Sequence, residues 1–340
     1  MKRSIAKKVA SGVLSMCMLL SVVTACSDSA NETESTTAAA TEETEATTTE
    51  AQTEATEETE AQVADGNYPV VLTDIYGHEV SIESEPQTIV SISPALTEII
   101  YELGQGSKLI GRTDYDDYPT EVFDVPSIGD LYAPNIEAIV ELDPDVILAS
   151  SIFTEDAYNQ LTDLGYTVVI IMDETTLSGM FENINNVAAV LNCADVAESY
   201  SEELQGRLDA IVVPETDVTV YYCLGFGEWG EYTAGGDTFI NDIIVAAGAK
   251  NAAADVSGWS YSIEALLEAD PDYILVSAWD YDTFIATEPY NTLTAVQNGN
   301  VFAIDNNIFD RQCGRNVDAV ELINGIILGQ AEDVDVDEAA

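Results

Sequence analysis

The hydrophobic pattern of this chain contains one unit twice. Residues 135–150 and 262–277 are identical at ten of sixteen positions, at an offset of 127 residues. Each copy begins with a polar residue suited to cap a helix, Asn135 or Ser262, and carries a Glu in the first turn. A short amphipathic stretch then runs into Asp-Pro-Asp, and the apolar residues after it predict a buried strand. The unit therefore predicts a helix, a loop and a strand in each half of the chain.

The remaining pattern places further strands and helices around this unit. Alternating residues at 69–83 predict a hairpin. Apolar runs predict strands at 88–92, 109–113, 217–225 and 301–304, and helical periodicity predicts helices at 95–104, 240–248 and 316–328. Between the halves, residues 194–213 place apolar side chains at spacings of four and three, which predicts one helix roughly 30 Å long.

This order of elements predicts an α/β fold with two Rossmann-like lobes. Strands and helices alternate in each half, so the sheets should be mostly parallel. We expect an N-terminal lobe at 67–193, a joining helix at 194–213 and a C-terminal lobe at 214–330. The cleft between the lobes is the expected ligand site.

Residues 1–25 have the features of a secretion signal. Four basic residues precede an interrupted apolar run that is short for a bilayer span, and the segment ends in Val-Thr-Ala-Cys at 23–26. That tetrapeptide resembles a bacterial lipobox, which implies cleavage before Cys26 and a lipid on its thiol; an ordinary cleavable signal is the alternative. The chain should then be held at the extracytoplasmic face of the cell membrane by the lipid alone.

The charge of the chain excludes nucleic acid as a partner. It has 62 Asp and Glu against ten Lys and Arg, and four of those basic residues lie within the signal. Residues 26–66 begin with Cys26 and continue as a tract of Thr, Glu and Ala that predicts a disordered tether. Residues 331–340 form an acidic tail. Cys193, Cys223 and Cys313 remain after processing, either as one disulfide with one thiol or as three thiols.

The sequence does not predict an enzyme. It contains one His and neither a G-x-S-x-G nor an H-E-x-x-H motif, so no nucleophile and base are assembled. A surface hydrolase is therefore disfavoured. An acidic surface adhesin is a further alternative, but the organised repeat and the aromatic loops favour a ligand-binding protein.

Six segments resemble the helical-backbone solute-binding proteins of ABC importers for cobalamin, ferric siderophores and haem. They are SPALTEIIYELG, GRTDYDDYP and PSIGDLYAPNIEAIVELDPDVIL in the first half, and AGGDTFINDIIVAAGAKN, GWSYSIEALLEADPDYIL and DRQCGR in the second. The resemblance covers residues 70–328. It implies a monomer that delivers a metal chelate to a permease and its ATPase, with no cofactor of its own. Glu137 and Glu264 match the family's permease-docking position on each lobe.

The expected ligand contacts are the few cations and the aromatic side chains on loops. Arg311 and Arg315 flank a Gly and could hold carboxylates or catecholates, or could instead pair with nearby acids. The arginine pair favours an iron complex, a siderophore or haem, whereas Trp259 matches a stacking position of the cobalamin binders, so cobalamin is the alternative. The full set of predicted ligand contacts is Arg112, Tyr115, Tyr118, Tyr132, Trp229, Tyr232, Trp259, Tyr261, Trp279, Arg311 and Arg315.

Overall fold

A computed structural model describes residues 68–74, 76–171 and 175–330. The predicted signal, Cys26, the tether and the acidic tail lie outside these residues. None of the helices in the described ranges is long and apolar enough to cross a bilayer. Cys193, Cys223 and Cys313 are buried free thiols, so the structure contains no disulfide among the three.

The N-terminal half forms a hairpin followed by a parallel sheet, as the sequence predicts. Its elements are β1 (Val70–Thr73), β2 (Glu79–Ile82), β3 (Ile89–Ile92), α1 (Pro94–Glu102), β4 (Leu109–Gly111), α2 (Ile136–Leu142), β5 (Val146–Ser150), α3 (Glu155–Asp163) and β6 (Val168–Ile171). Strands β1 and β2 pair antiparallel. The four-stranded sheet has the order β4-β3-β5-β6, with every pair parallel.

Two helices, α4 (Gly179–Leu191) and α5 (Ala194–Asp209), follow the first sheet. The joining helix was predicted at 194–213, but α5 ends four residues earlier. Residues 211–213 are β-branched and precede Pro214, and both features disfavour helix at these positions.

The C-terminal half repeats the arrangement of the first sheet. Its elements are β7 (Thr219–Cys223), β8 (Glu231–Tyr232), α6 (Phe239–Ala246), β9 (Lys250–Asn251), β10 (Ser260–Tyr261), α7 (Ile263–Ala269), β11 (Tyr273–Ser277), α8 (Tyr281–Ala286), α9 (Thr294–Asn298), β12 (Val301–Ile304), α10 (Asn307–Asp310) and α11 (Asn316–Ile327). The parallel sheet runs β9-β7-β11-β12, which is the order of the first sheet with each strand replaced by its counterpart. Strands β8 and β10 form a separate antiparallel pair.

The repeated unit has the same local chemistry in both lobes. The side chains of Asn135 and Ser262 accept hydrogen bonds from the third backbone N–H of α2 and α7. Both helices end at an Asp in the left-handed conformation, Asp143 at φ 49° and Asp270 at φ 37°. The two copies of the repeated sequence therefore also share the helix cap and the position of the strand in the sheet.

The hydrophobic core is continuous between the lobes. One cluster of buried residues runs from Leu96 and Ile99 on α1, through Ile184 on α4, to Ile243 on α6 and Val320 on α11. Separate clusters fill the outer side of each sheet. The inner helices thus join the two sheets into one body, and the cleft opens beside them.

Candidate functional site: the inter-lobe cleft

A cavity of about 580 Å³ lies between the two lobes. This volume is within the range of small-molecule sites. Its described lining is mostly small hydroxyl and apolar side chains. The residues are Ser93, Pro94, Ala95, Ser150, Ser151, Ile152, Thr175, Leu224, Asp237, Thr238, Phe239, Gly258, Trp259, Asp310, Arg311 and Gln312.

The carboxyl ends of parallel strands supply much of this lining. Ser93 follows β3, Ser150 ends β5, and Leu224 follows β7. Ligands of open α/β sheets bind outside the carboxyl ends of the strands, because the chain leaves the sheet there in loops that can diverge. The topology therefore accounts for the position of the cavity.

The C-terminal lobe contributes an ordered loop and the start of α6. The Thr238 hydroxyl accepts a hydrogen bond from the Asn241 amide at 3.3 Å and caps the helix. Asp237 accepts hydrogen bonds from the Ser257 hydroxyl and, at 2.7 Å, from the Gly258 amide. These bonds hold the loop that carries Trp259, whose side chain lines the cavity and is 41% exposed.

Arg311 lines the cavity, but acids of the opposite lobe hold its guanidinium. Nη1 donates to Glu98 Oε1 at 2.7 Å and to Asp117 Oδ1 at 2.5 Å. Nη2 donates to the Tyr115 carbonyl at 3.0 Å. The charge of this arginine is therefore already balanced in the structure.

Arg315 lies beside the same acid and does not line the cavity. Its Nη1 donates to Glu98 Oε1 at 3.2 Å and its Nη2 to Asp305 Oδ2 at 2.6 Å. The guanidinium also stacks over the Tyr118 ring, 4.3 Å from the centroid. Both predicted ligand arginines thus form inter-lobe ion pairs with Glu98, a residue that the sequence did not single out.

Burial raises the pKa of two groups near these arginines, Asp310 and Cys313. Desolvation raises the pKa of Asp310, and the Tyr222 hydroxyl donates to its carboxylate at 2.6 Å. Desolvation also raises the pKa of Cys313 well above its usual value, and this thiol donates to Glu98 Oε2 at 3.0 Å. Cys313 is therefore a neutral thiol that bonds Glu98.

The structure places most of the other predicted contacts outside the cavity lining. Arg112 donates to the carbonyls of Thr113 and Val122, and the Tyr115 hydroxyl donates to Asp130 at 3.1 Å. Tyr132 and Trp279 are exposed, the latter by 76%, and Tyr261 packs against Tyr221. Tyr232 lines a second, smaller cavity of about 440 Å³ with Phe226 and Asp280. The side chain of Trp229 lies outside the described part of the structure.

The polar lining residues were missed because no motif marks them. Ser93, Ser150, Thr238 and Gln312 are common residue types without distinctive spacing. The available signal was positional, since Ser93 and Ser150 come at the ends of predicted parallel strands. That signal locates the edge of the sheet where a ligand binds but does not identify which side chains reach the ligand.

Glu137 and Glu264 are exposed and do not belong to the cavity lining. Each occupies the first turn of its repeated helix, α2 or α7. Neither carboxylate makes an ion pair or hydrogen bond with another described residue. They are therefore available to a partner.

Comparisons with known proteins agree on the family. The periplasmic binding protein family matches residues 89–308. YvrC, an ABC transporter substrate-binding lipoprotein of Bacillus subtilis, is 32% identical over 267 residues, which cover 75% of this chain and 84% of the relative. A cobalamin-binding protein of Halobacterium salinarum is 33% identical over 282 residues, covering 76% of this chain and 75% of the relative.

Solved structures give the same fold. The haem-binding protein HutB of Vibrio cholerae has a TM-score of 0.65 at 26% identity, covering 71% of this chain and 98% of HutB. A possible iron-binding protein of Staphylococcus epidermidis has a TM-score of 0.63 at 27% identity, covering 72% of this chain and 99% of the other.

The two parallel-sheet lobes and the cleft between them define a solute-binding protein. The chain belongs to the periplasmic binding protein family. It is a substrate-binding protein of an ABC importer and is not an enzyme. The protein itself acts outside the cytoplasm, and it works with a permease and an ATPase.

Proposed function

We propose that the cargo of this protein is a corrinoid such as cobalamin. The observation that carries the proposal is the pairing of Arg311 and Arg315 with the carboxylates of Glu98, Asp117 and Asp305. The arginine pair was the reason to expect an anionic iron complex from the sequence. With both guanidiniums paired, the cleft offers hydroxyl, amide and apolar groups instead. These groups suit a large ligand whose rim carries neutral amides, with Trp259 as a stacking surface.

The donor set of the cleft also argues against haem. Protein ligands to haem iron are His, Cys, Met or Tyr, and none of the described lining residues is of these types. Among the described residues, no group of three His, Cys, Asp or Glu side chains could hold a metal ion. A corrinoid brings its metal already coordinated, so the protein needs only to hold its faces and its amide rim.

Titration of the purified protein with three ligands tests the cargo. We expect cyanocobalamin to bind at least tenfold more tightly than haem or a ferric tris-catecholate, measured by absorbance and calorimetry. The second candidate, an iron complex, is favoured by the likeness to HutB and to the possible iron-binding protein. Tighter binding of haem or of the ferric catecholate would overturn the corrinoid proposal in favour of this candidate.

We further propose that Glu137 and Glu264 dock the protein on its permease, one on each lobe. Their exposure, their equivalent positions in the repeat and their lack of partners among the described residues support this role. Two anchors far apart fix an orientation, which one exposed ion pair cannot do. The protein would act as a monomer held at the membrane through a lipid on Cys26.

A further inference from the structure

Glu98 lies one helical turn below the wall of the cleft. Pro94 and Ala95 at the start of α1 line the cavity, and Glu98 follows on the same helix. Its side chain is 1% exposed. It accepts hydrogen bonds from Arg311 at 2.7 Å, Arg315 at 3.2 Å and the Cys313 thiol at 3.0 Å. One carboxylate therefore binds three side chains of the loop at 311–315, which we call the closing loop.

Two further carboxylates complete the neutralisation of the arginines. Asp117 binds Arg311, and Asp305 binds Arg315. Two guanidiniums thus face three carboxylates, so the cluster has no surplus positive charge. The other titratable groups packed around it include acids, phenols and a thiol: Glu102, Asp116, Asp310, Tyr118, Tyr222 and Cys313.

Arg311 nevertheless keeps hydrogen-bonding capacity toward the cavity. Its hydrogen bonds to Glu98, Asp117 and Tyr115 use Nη1 twice and Nη2 once, whereas a guanidinium has five N–H groups. The remaining N–H groups can bond a neutral acceptor such as an amide oxygen. An anionic ligand would receive the same hydrogen bond but would also meet the charge of Glu98 and Asp117, together with the cavity acids Asp237 and Asp310.

We propose that Glu98 is a specificity-determining residue: a fixed internal anion that occupies the arginine pair and makes the cleft reject anionic chelates. The inference rests on the proposed function for the identity of the favoured cargo. The effect of Glu98 on anionic ligands depends only on the charge of the cleft and not on the identity of the cargo. Because a buried carboxylate without counter-ions is costly, the pairing is maintained by the fold and does not compete with the ligand.

The test measures the ratio of affinities for a ferric tris-catecholate and for cyanocobalamin. In Glu98→Gln this ratio should rise at least tenfold, because the amide keeps the shape of the carboxylate but removes the negative charge that the two guanidiniums share, leaving one carboxylate for each of them. The matched control is Glu102→Gln, the same substitution one turn later on α1, where the side chain bonds Tyr200 and not the arginines. The control should change the ratio less than threefold.

Asp117→Asn keeps the test decisive if Glu98→Gln folds poorly, and a double variant checks that the effect of Glu98→Gln depends on Arg311. Asp117 is 48% exposed and binds Arg311 from the surface, so Asp117→Asn removes one charge without disturbing the core. It should raise the ratio in the same direction, by roughly threefold. In Glu98→Gln with Arg311→Ala, the gain should disappear because the cation that attracts the chelate is gone.

The outcomes separate this inference from the proposed function. An unchanged ratio in both Glu98→Gln and Asp117→Asn would overturn the role of Glu98. Tight binding of the ferric catecholate by the wild-type protein, lost in Arg311→Ala, would overturn both proposals. If wild type bound no corrinoid while catecholate affinity still rose in Glu98→Gln and not in Glu102→Gln, the cargo would be wrong but Glu98 would retain its role.

Discussion

Glu102 is a buried carboxyl with little to stabilise its charge. Desolvation raises its pKa to about 7, against opposing hydrogen bonds from Tyr200 and from the Gly314 backbone. Its Oε2 atom is buried and has no hydrogen-bond partner among the residues that the structure describes. Glu102 lies on α1, Tyr200 on α5 and Gly314 in the closing loop, so the carboxyl sits where three parts of the fold meet.

The raised pKa predicts a stability that falls as pH rises. Between the usual carboxyl pKa and about 7, the folded state binds more protons than the unfolded state, so the free energy of unfolding decreases with pH. Glu102→Gln should remove this contribution to the pH dependence. Between pH 4.5 and pH 7.5, the free energy of unfolding should therefore fall by roughly 1–3 kcal/mol more in wild type than in the variant. Denaturant unfolding of both proteins at the two pH values measures the change.

Glu137→Gln is the control for this prediction, because Glu137 is exposed and its loss should leave the pH dependence of wild type intact. If wild type and Glu102→Gln lost stability equally between the two pH values, Glu102 would be ionised in the folded protein throughout.

Trp259 is the one predicted aromatic that lines the main cavity, within the described residues. Trp259→Ala removes a stacking surface, so we expect corrinoid affinity to fall about tenfold, or about 1.4 kcal/mol, in a calorimetric titration. Trp279→Ala is the matched control on the same lobe, since Trp279 is 76% exposed and does not line the cavity. Equal effects of the two substitutions would place the ligand elsewhere.

The two Asp-Pro-Asp loops connect neighbouring strands of each parallel sheet through hydrogen bonds. The second Asp of each loop bonds the start of the neighbouring strand. Asp145 accepts from the backbone amides of Gln87 and Thr88 at 2.7 and 3.0 Å. Asp272 accepts from the amide and hydroxyl of Thr219 at 2.8 and 2.9 Å. Each loop therefore sets where two adjacent parallel strands begin.

The repeated helices α2 and α7 give the docking proposal a sharp test. Replacing Glu137 and Glu264 together with Ala should abolish uptake by the reconstituted permease, because both orienting contacts are lost, while cargo affinity changes less than threefold. Glu141 and Glu268 are the matched controls, as they are exposed, lie on the same two helices and are equivalent in the repeat. Their double Ala variant should transport normally; normal transport by the first variant would exclude docking through Glu137 and Glu264.

Many hydrogen bonds cross between the two lobes. Besides the arginine pairs, Gln312 Nε2 donates to the Thr176 carbonyl at 2.7 Å and Asn183 Nδ2 donates to Gln312 at 3.2 Å. The Leu177 amide donates to Asp242 at 3.2 Å. With the continuous core, these bonds already hold the lobes together without a ligand.

We therefore expect cargo binding to change the overall shape very little. The radius of gyration from small-angle X-ray scattering should differ by less than about 1 Å between the free and loaded protein. In the Arg311→Ala, Arg315→Ala double variant the change should be larger, because ion pairs that bridge the lobes are removed. A decrease of several ångströms in wild type would contradict this and indicate domain closure.

Local pattern in the sequence determined the architecture. Caps, Asp-Pro-Asp and apolar periodicity depend on neighbouring residues, so the repeated unit, the alternation of strands and helices and the parallel sheets were predictable. One helix was predicted at 194–213 and α5 covers Ala194–Asp209, because the apolar spacing continues past Asp209 into residues that disfavour helix.

The chemistry of the cleft depends on contacts between residues that are far apart in the sequence. Arg311 and Arg315 are separated from Glu98 by 213 and 217 residues, and no periodicity links positions so far apart. The sequence supplied two arginines and 62 acids as possible partners. The packing of α1 against the loop at 311–315 brings Glu98 within reach of both guanidiniums, while Asp117 and Asp305 each pair with one of them.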